Sequence, residues 1–301
     1  MHTSNLPPYI SVDYLNAVIR RGLDEDVGEG DVTSKATVSA DTQAHGRFVC
    51  KQRGVAAGLT VAGMVFRQLD ERISVAWDAE EGEAVARGAE LGTVSGPARE
   101  ILAAERLALN ILQRMSGIAT MTRRMVDAVE PYGTRILDTR KTAPGLRLLD
   151  KWAVQLGGGS NHRIGLFDMI LVKENHITCA GGLEQAIVAA RTYADTHPSP
   201  LQIEVEVTSL DEVRRALDVG GVDVLLLDNM AVLRDDGALD VSALADAVDL
   251  VAGSVETEAS GNVTLDTVAQ IAATGVDSIS SGALTHSVTA MDISLLLDFR
   301  D

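Results

Sequence analysis

Several short apolar runs of the chain end in residues that bind anions, hold cations or move protons. Asp138-Thr139-Arg140-Lys141-Thr142 follows Ile136-Leu137. Lys173-Glu174-Asn175-His176 follows Leu171-Val172, and Asp228-Asn229 follows Leu225-Leu226-Leu227. Glu204 and Glu206 stand two apart in the run 201–207, so on a strand they share a face. Glu256, Glu258, Ser260, Gly261 and Asn262 follow Val255, and Ser280, Ser281 and Gly282 follow Ile279, with His286 close behind. Between residues 135 and 173 there are seven basic side chains and three acidic ones, inside a chain of net charge −17. A basic pocket in an acidic protein suits a small, multiply anionic ligand. His162, beside Arg163 and after Gly157-Gly158-Gly159, adds donors to that pocket.

Ser260-Gly261-Asn262 and Ser281-Gly282 each precede a helical segment, where small residues let backbone N–H groups approach a phosphate. There is no GxxxxGK[ST] run and no GxGxxG after a strand, so neither a nucleoside triphosphate nor a dinucleotide is the expected phosphate source. Glu204, Glu206 and Asp228 would repel phosphates unless a cation lay between them. Mg²⁺, which takes few protein oxygens and fills its shell from substrate, fits that need. No His/Cys cluster suggests zinc.

These residues need a scaffold that gathers strand ends. From about 134 to 288, runs at 135–137, 169–172, 201–207, 224–227, 254–256 and 276–279 alternate with helical segments near 146–156, 183–194, 210–217, 241–251 and 265–273. That alternation predicts βαβ units and a parallel sheet, and polar ends on nearly every strand favour a barrel. The first 130 residues are mixed. Ser11 opens an amphipathic helix bearing Val12, Leu15, Ile19 and Leu23. Strand-like runs lie at 47–50, 73–77 and 90–94, with a helix near 60–69. Pro97 is placed to begin a long helix, which is expected to break near Gly117. In the tail, Met291, Ile293, Leu295, Leu297 and Phe299 alternate with Asp292, Ser294, Leu296 and Asp298, the period of a half-buried strand expected to return to the first domain.

Composition limits the rest. The 301 residues are 46% hydrophobic and 23% charged, enough for a folded protein of one large domain or two. The net charge argues against nucleic acid and anionic membrane partners. No run reaches the ~18 apolar residues of a membrane span. The start of the chain is not read as a signal or transit peptide, and Cys50 and Cys179 cannot build a disulfide framework, so a cytoplasmic protein is expected.

The chain resembles quinolinate phosphoribosyltransferase. The text that carries the likeness runs in order through Glu25–Ser34, Glu105–Asn110, Asp138–Arg147, Gly158–Arg163, Leu171–His176, Glu204–Val207, Leu227–Asn229, Glu258–Asn262 and Gly282–Ser287. The Thr-Arg-Lys-Thr and Asn-His-Arg runs are its specific parts. Ser281, where the family more often has an aliphatic residue, and an apparent insertion at 234–240 depart from the pattern.

The resemblance implies an α/β fold with an N-terminal α/β sandwich domain, residues 1–117 joined by the returning strand 289–301, and an open, seven-strand-like parallel α/β barrel over 118–288. It implies a decarboxylating transferase that joins quinolinate to phosphoribosyl pyrophosphate with Mg²⁺, giving nicotinate mononucleotide, pyrophosphate and CO₂. Arg106, Thr139, Arg140, His162, Arg163 and Lys173 would hold quinolinate. Lys141, Glu206, Asp228, Ser260, Gly261, Asn262, Ser281, Gly282 and His286 would hold phosphoribosyl pyrophosphate, with Lys141, Glu206 and Asp228 catalytic and Glu206 and Asp228 on the metal. Which of Glu204 and Glu206 meets the metal stays open. A homodimer or larger assembly is implied, with Arg106 reaching the neighbouring active site. The rival readings are a molybdenum-transport relative, a nicotinate phosphoribosyltransferase with a monocarboxylate substrate, and a silent phosphate-binding protein.

Overall fold

The computed structural model describes residues 6–300. Met1–Asn5 and Asp301, which the expected domain limits include, lie outside the described residues. Two compact units are present. The first holds the described residues up to Arg123, the segment Thr142–Gly158 and the chain from Thr285 onward; the second holds Arg124–Lys141 and Gly159–Leu284.

In the first unit the chain forms α1 (Val12–Asp26), α2 (Val32–Thr37), β1 (Gln43–Cys50), β2 (Gly54–Val55), α3 (Leu59–Leu69), β3 (Ser74–Trp77), β4 (Ala84–Val85), β5 (Glu90–Pro97) and most of α4 (Ala98–Val129). Ser11 caps α1 by accepting the Tyr14 N–H, and the helix buries Leu15, Val18, Ile19 and Leu23. Such a cap is worth about 1 kcal/mol. Alternate residues of β1 are buried, and Phe48 meets Phe66 of α3 edge-on and Trp77 of β3 at a tilt, with ring centroids 5.9 and 4.8 Å apart. These pairs form an aromatic cluster in a core built largely from aliphatic residues.

The second unit begins its sheet with β6 (Arg135–Leu137). The chain then returns to the first unit for α5 (Arg147–Leu156). Back in the second unit come β7 (Ile170–Val172), α6 (Glu174–Ala180), α7 (Leu183–Thr196), β8 (Ile203–Val207), α8 (Leu210–Val219), β9 (Val224–Asp228), the hairpin β10 (Val232–Leu233) and β11 (Leu239–Asp240), α9 (Ser242–Val251), β12 (Glu256–Ser260), α10 (Val268–Ala272) and β13 (Ser278–Ser280). α11 (Ala283–His286) follows, and β14 (Ile293–Arg300) closes the chain in the first unit.

β14 pairs antiparallel with β1 in a four-stranded sheet of order β14-β1-β5-β3, and Met291, Ile293 and Leu295 are buried. Six strands of the second unit form one parallel sheet, in the order β6-β13-β12-β9-β8-β7. All six therefore end on one face. β6 and β7 do not pair with each other, so the barrel is open there. Ser160 fills part of the β6 edge through a parallel bridge to Leu137.

Four readings of the sequence are corrected. α4 runs unbroken through Gly117, where an added Cβ would lie 2.3 Å from the Thr289 carbonyl oxygen. That glycine serves a close backbone approach and not a kink. Pro97 ends β5 instead of opening α4. The strand read at 254–256 is Glu256–Ser260, because its polar Thr-Glu-Ala-Ser text hides a buried parallel strand. The segment 142–158, placed with the barrel from its position in the chain, packs with the first unit. Its Asp150 is fully buried and receives two hydrogen bonds of 2.8 Å from Arg114 of α4.

Candidate active site

The strand ends of the second unit enclose a cavity of about 550 Å³. Thr139, Arg140 and Lys141 after β6, Lys173 after β7, Glu206 of β8, Asp228 of β9, Ser260 and Gly261 of the β12 end, and His162 and Arg163 line it. Leu171, Leu226, Asn229, Glu258 and Ser280 complete the wall. Register explains the grouping. Glu206 and Glu258 both lie opposite Leu226, and Ser260 lies opposite Asp228, so two rows of side chains stack inside the sheet.

The polar groups are already organised. The Lys173 ammonium pairs with the Glu206 carboxylate, which also accepts the Glu174 N–H. Asn229 donates its side-chain amide to Asp228 at 2.6 Å. Asn229 has φ +55°, and an added Cβ on Gly261 would lie 2.2 Å from its side-chain oxygen, so the two turns interlock. Asp138, fully buried, accepts the His162 N–H at 3.0 Å and the Asn161 side-chain amide at 2.6 Å. That carboxylate ties the Thr139–Lys141 segment to the Asn-His-Arg turn.

His162 Nε2 lies 2.8 Å from Glu204 and 3.6 Å from Glu258. Glu204 is fully buried, and neither of its carboxylate oxygens receives an aligned hydrogen bond. Burial pushes the Glu258 carboxyl well above the usual range, and the Glu204 charge adds to this against the opposing pull of His162. Burial, then the Arg140 guanidinium, push Arg163 below its ordinary value. The Arg140 Nε is buried without a hydrogen-bond partner. Two crowded guanidinium groups with an orphan donor are conditions a bound anion relieves.

Two groups could take a metal. Glu206 and Asp228 present carboxylates from adjacent strands to the open cavity, the oxygen-only donor set Mg²⁺ takes when substrate completes its shell. His162, Glu204 and Glu258 also bring ligand atoms within 4.8 Å of one another, but in a buried position.

The remaining expected residues sit elsewhere. Asn262 gives its side-chain amide to the Ala231 carbonyl, buried Ser281 turns its hydroxyl to the Val263 carbonyl, and neither they nor Gly282 line the cavity. His286 and Arg106 belong to the first unit. Arg106 is exposed on α4, where its charge opposes the burial that raises the Glu105 carboxyl. Glu258, Asn229 and Ser280, which the sequence places at strand ends but to which it assigns no role, also line the wall. The signal was present for Glu258, which repeats the alternate carboxylate spacing of Glu204 and Glu206.

Comparison with known proteins bears directly on this cavity. The model of the quinolinate phosphoribosyl transferase C-terminal domain matches residues 118–296, and that of the N-terminal domain matches 31–116. The chain belongs to the quinolinate phosphoribosyl transferase family. The cavity lies wholly within the match to its C-terminal domain. A chloroplastic nicotinate-nucleotide pyrophosphorylase [carboxylating] of Oryza sativa is 50% identical over 298 residues, covering 97% of this chain and 80% of the rice protein. The protein of that name in Arabidopsis thaliana is 48% identical, covering 97% of this chain and 85% of its own length. The crystal structure of NadC from Streptococcus pyogenes superposes with a TM-score of 0.88 at 36% identity, over 98% of this chain and all of that one. Among the described residues, no helix is long and apolar enough to cross a membrane.

Proposed function

We propose that this protein is a decarboxylating phosphoribosyltransferase that makes nicotinate mononucleotide, pyrophosphate and CO₂ from quinolinate and phosphoribosyl pyrophosphate in NAD biosynthesis. The observation that carries the reading is the pairing of crowded cations with cavity-facing carboxylates at one set of strand ends, in a chain of this family. Mere phosphate storage has no need of acids beside the anion.

The bond from the ribose anomeric carbon to the pyrophosphate oxygen breaks first, leaving cationic character on the sugar. Lys141, exposed at the cavity rim, neutralises charge on the departing pyrophosphate. Glu206 and Asp228 hold the ribose hydroxyls and would hold Mg²⁺, which when bound supplies charge neutralisation at the phosphate oxygens. The backbone near Ser260 and Gly261 approaches the phosphate. The pyridine nitrogen of quinolinate then bonds to the anomeric carbon. Its ring becomes cationic, so the adjacent carbon–carboxylate bond breaks, its electron pair stays on the ring carbon, and a solvent proton replaces CO₂.

Arg140, Arg163 and Lys173, with Thr139 beside them, bind the two substrate carboxylates, and His162 forms part of the wall behind Arg163. Forked guanidinium groups match a carboxylate better than an ammonium does. Arg106 extends from a second copy of the chain to complete that clamp, so the working form is a homodimer or a larger assembly. The protein works in the cytoplasm, a reading consistent with the unpaired Cys50 and Cys179 thiols.

Product analysis tests the assignment. Purified protein with quinolinate, phosphoribosyl pyrophosphate and Mg²⁺ is expected to release labelled CO₂ and nicotinate mononucleotide in equal amounts. Equal or faster turnover of nicotinate would assign it to the monocarboxylate reaction instead.

A further inference from the structure

The proposed chemistry uses Arg140 and Arg163 but leaves the buried carboxyls of Glu204 and Glu258 without a task. We propose that Glu204 and Glu258 are positioning residues that hold the His162 ring with its proton on Nε2, and so fix Arg163 against the cavity. The proposal rests on the reading of Arg163 as a substrate-binding group.

The ring's orientation follows from one hydrogen bond. The backbone N–H of Arg163 donates to His162 Nδ1 at 2.7 Å. A nitrogen that accepts carries no proton, so the ring proton sits on Nε2. That nitrogen faces Glu204 Oε2 at 2.8 Å and Glu258 Oε2 at 3.6 Å. Asp138 holds the same residue by its backbone N–H. His162 is thus hydrogen-bonded at the main chain and at Nδ1, its Nε2 lies against the two carboxyls, and Arg163 is the next residue along.

The two glutamates come from β8 and β12, which β9 separates. Two strands therefore converge on one ring, and its placement reports the closure of the barrel at this point. Burying two carboxyl groups is costly without a donor between them. The His162 ring, its side chain 8% exposed, places Nε2 between them.

A divalent cation bound by His162, Glu204 and Glu258 is the alternative arrangement, since the three are close enough. It would require a lone pair on Nε2 and therefore a proton on Nδ1. That proton would collide with the Arg163 N–H, so the hydrogen-bond pattern favours the positioning role.

The test is nitrogen NMR on protein carrying ¹⁵N-histidine, with the His162 signals assigned from a His162→Gln variant. Wild-type protein without substrates should show a protonated Nε2 and a bare Nδ1, unchanged by a chelator or by added Mg²⁺ or Zn²⁺. A bare Nε2, or signals that move with either metal, would overturn the proposal. This readout does not depend on turnover, so it stands even if quinolinate proves not to be the substrate. In kinetics, Glu204→Ala and Glu258→Ala should raise the KM for quinolinate roughly 10-fold or more. The kcat should stay within a few-fold, and Glu258→Gln should recover most of the loss. Alanine variants that fold and keep the wild-type KM would refute the role. If they fail to fold, the glutamine variant and the wild-type NMR spectrum still decide it.

Discussion

The Lys173 ammonium and the Glu206 carboxylate close on each other across the mouth of the β7–β8 strand pair. A residue assigned to one substrate and a residue assigned to the other are joined before either substrate arrives. Binding must divide this pair or share it. Lys173→Met should raise the KM for quinolinate about 10- to 150-fold, the range for removing a charge-assisted hydrogen bond. Because Lys173 is 44% exposed and Glu206 only 13%, the variant also frees a more enclosed carboxylate, and its Mg²⁺ affinity should rise. Titrating activity against quinolinate and then against Mg²⁺ separates the effects. An unchanged KM would remove Lys173 from the clamp.

Asp228 lies at the last position of β9, opposite Ser260 of β12 and bonded to the Asn229 amide. Asp228→Asn keeps the shape and loses the charge. The concentration of Mg²⁺ needed for half-maximal rate should rise about tenfold or more, the outcome of losing roughly 1.4 kcal/mol or more of binding. Quinolinate binding measured by calorimetry should change little. A variant with the wild-type metal requirement would show that Asp228 serves neither metal nor ribose.

Gly261 has φ +96°, and its missing Cβ leaves room for the Asn229 side-chain oxygen. Gly261→Ala adds backbone strain of about 1–3 kcal/mol and drives the new methyl into Asn229. The melting temperature should fall by roughly 2–10 °C, and the KM for phosphoribosyl pyrophosphate should rise more than that for quinolinate. Equal KM changes would mean that the turn supports the whole cavity and not a phosphate in particular.

Arg106 and Lys141 allow a test of the shared site. Arg106→Ala and Lys141→Ala are each expected to be inactive. If Arg106 works in a neighbouring subunit, a mixed dimer gathers both lesions into one site and leaves the other intact. Equal mixing with subunit exchange should then restore about one quarter of wild-type activity. Proven exchange without recovered activity would place Arg106 within its own chain's chemistry.

Much of the barrel could be read along the chain, because each parallel strand is a short local run bounded by turns. Leu225-Leu226-Leu227 is apolar on both faces and becomes β9, buried throughout until Asp228. Thr139-Arg140-Lys141 and His162-Arg163 marked the anion site by residue type, and they line the cavity. Other features had no local signature. Glu256–Ser260 carries one alanine among four polar residues, and only burial between β9 and β13 makes it a strand. Gly117 has the text of a helix break, yet the backbone at Thr289, far along the chain, is what requires it.

What the sequence by itself determined was the inventory: the βαβ alternation, the family, and the clustering of cations in one part of an acidic chain. These depend on residue type and short-range period, which the chain states directly. Tertiary structure alone decided which neighbours each charge would have. Glu204 and Glu206 differ by two positions and share a face, yet one is buried against His162 while the other meets Lys173 at the cavity wall. Depth along a strand sets that difference, and depth depends on how β12 and β9 close beside β8. The same closure gives Glu258 its protonated tendency and leaves Arg140 with an orphan donor. Electrostatic character arises from distances between residues far apart in the chain, and only the fold defines them.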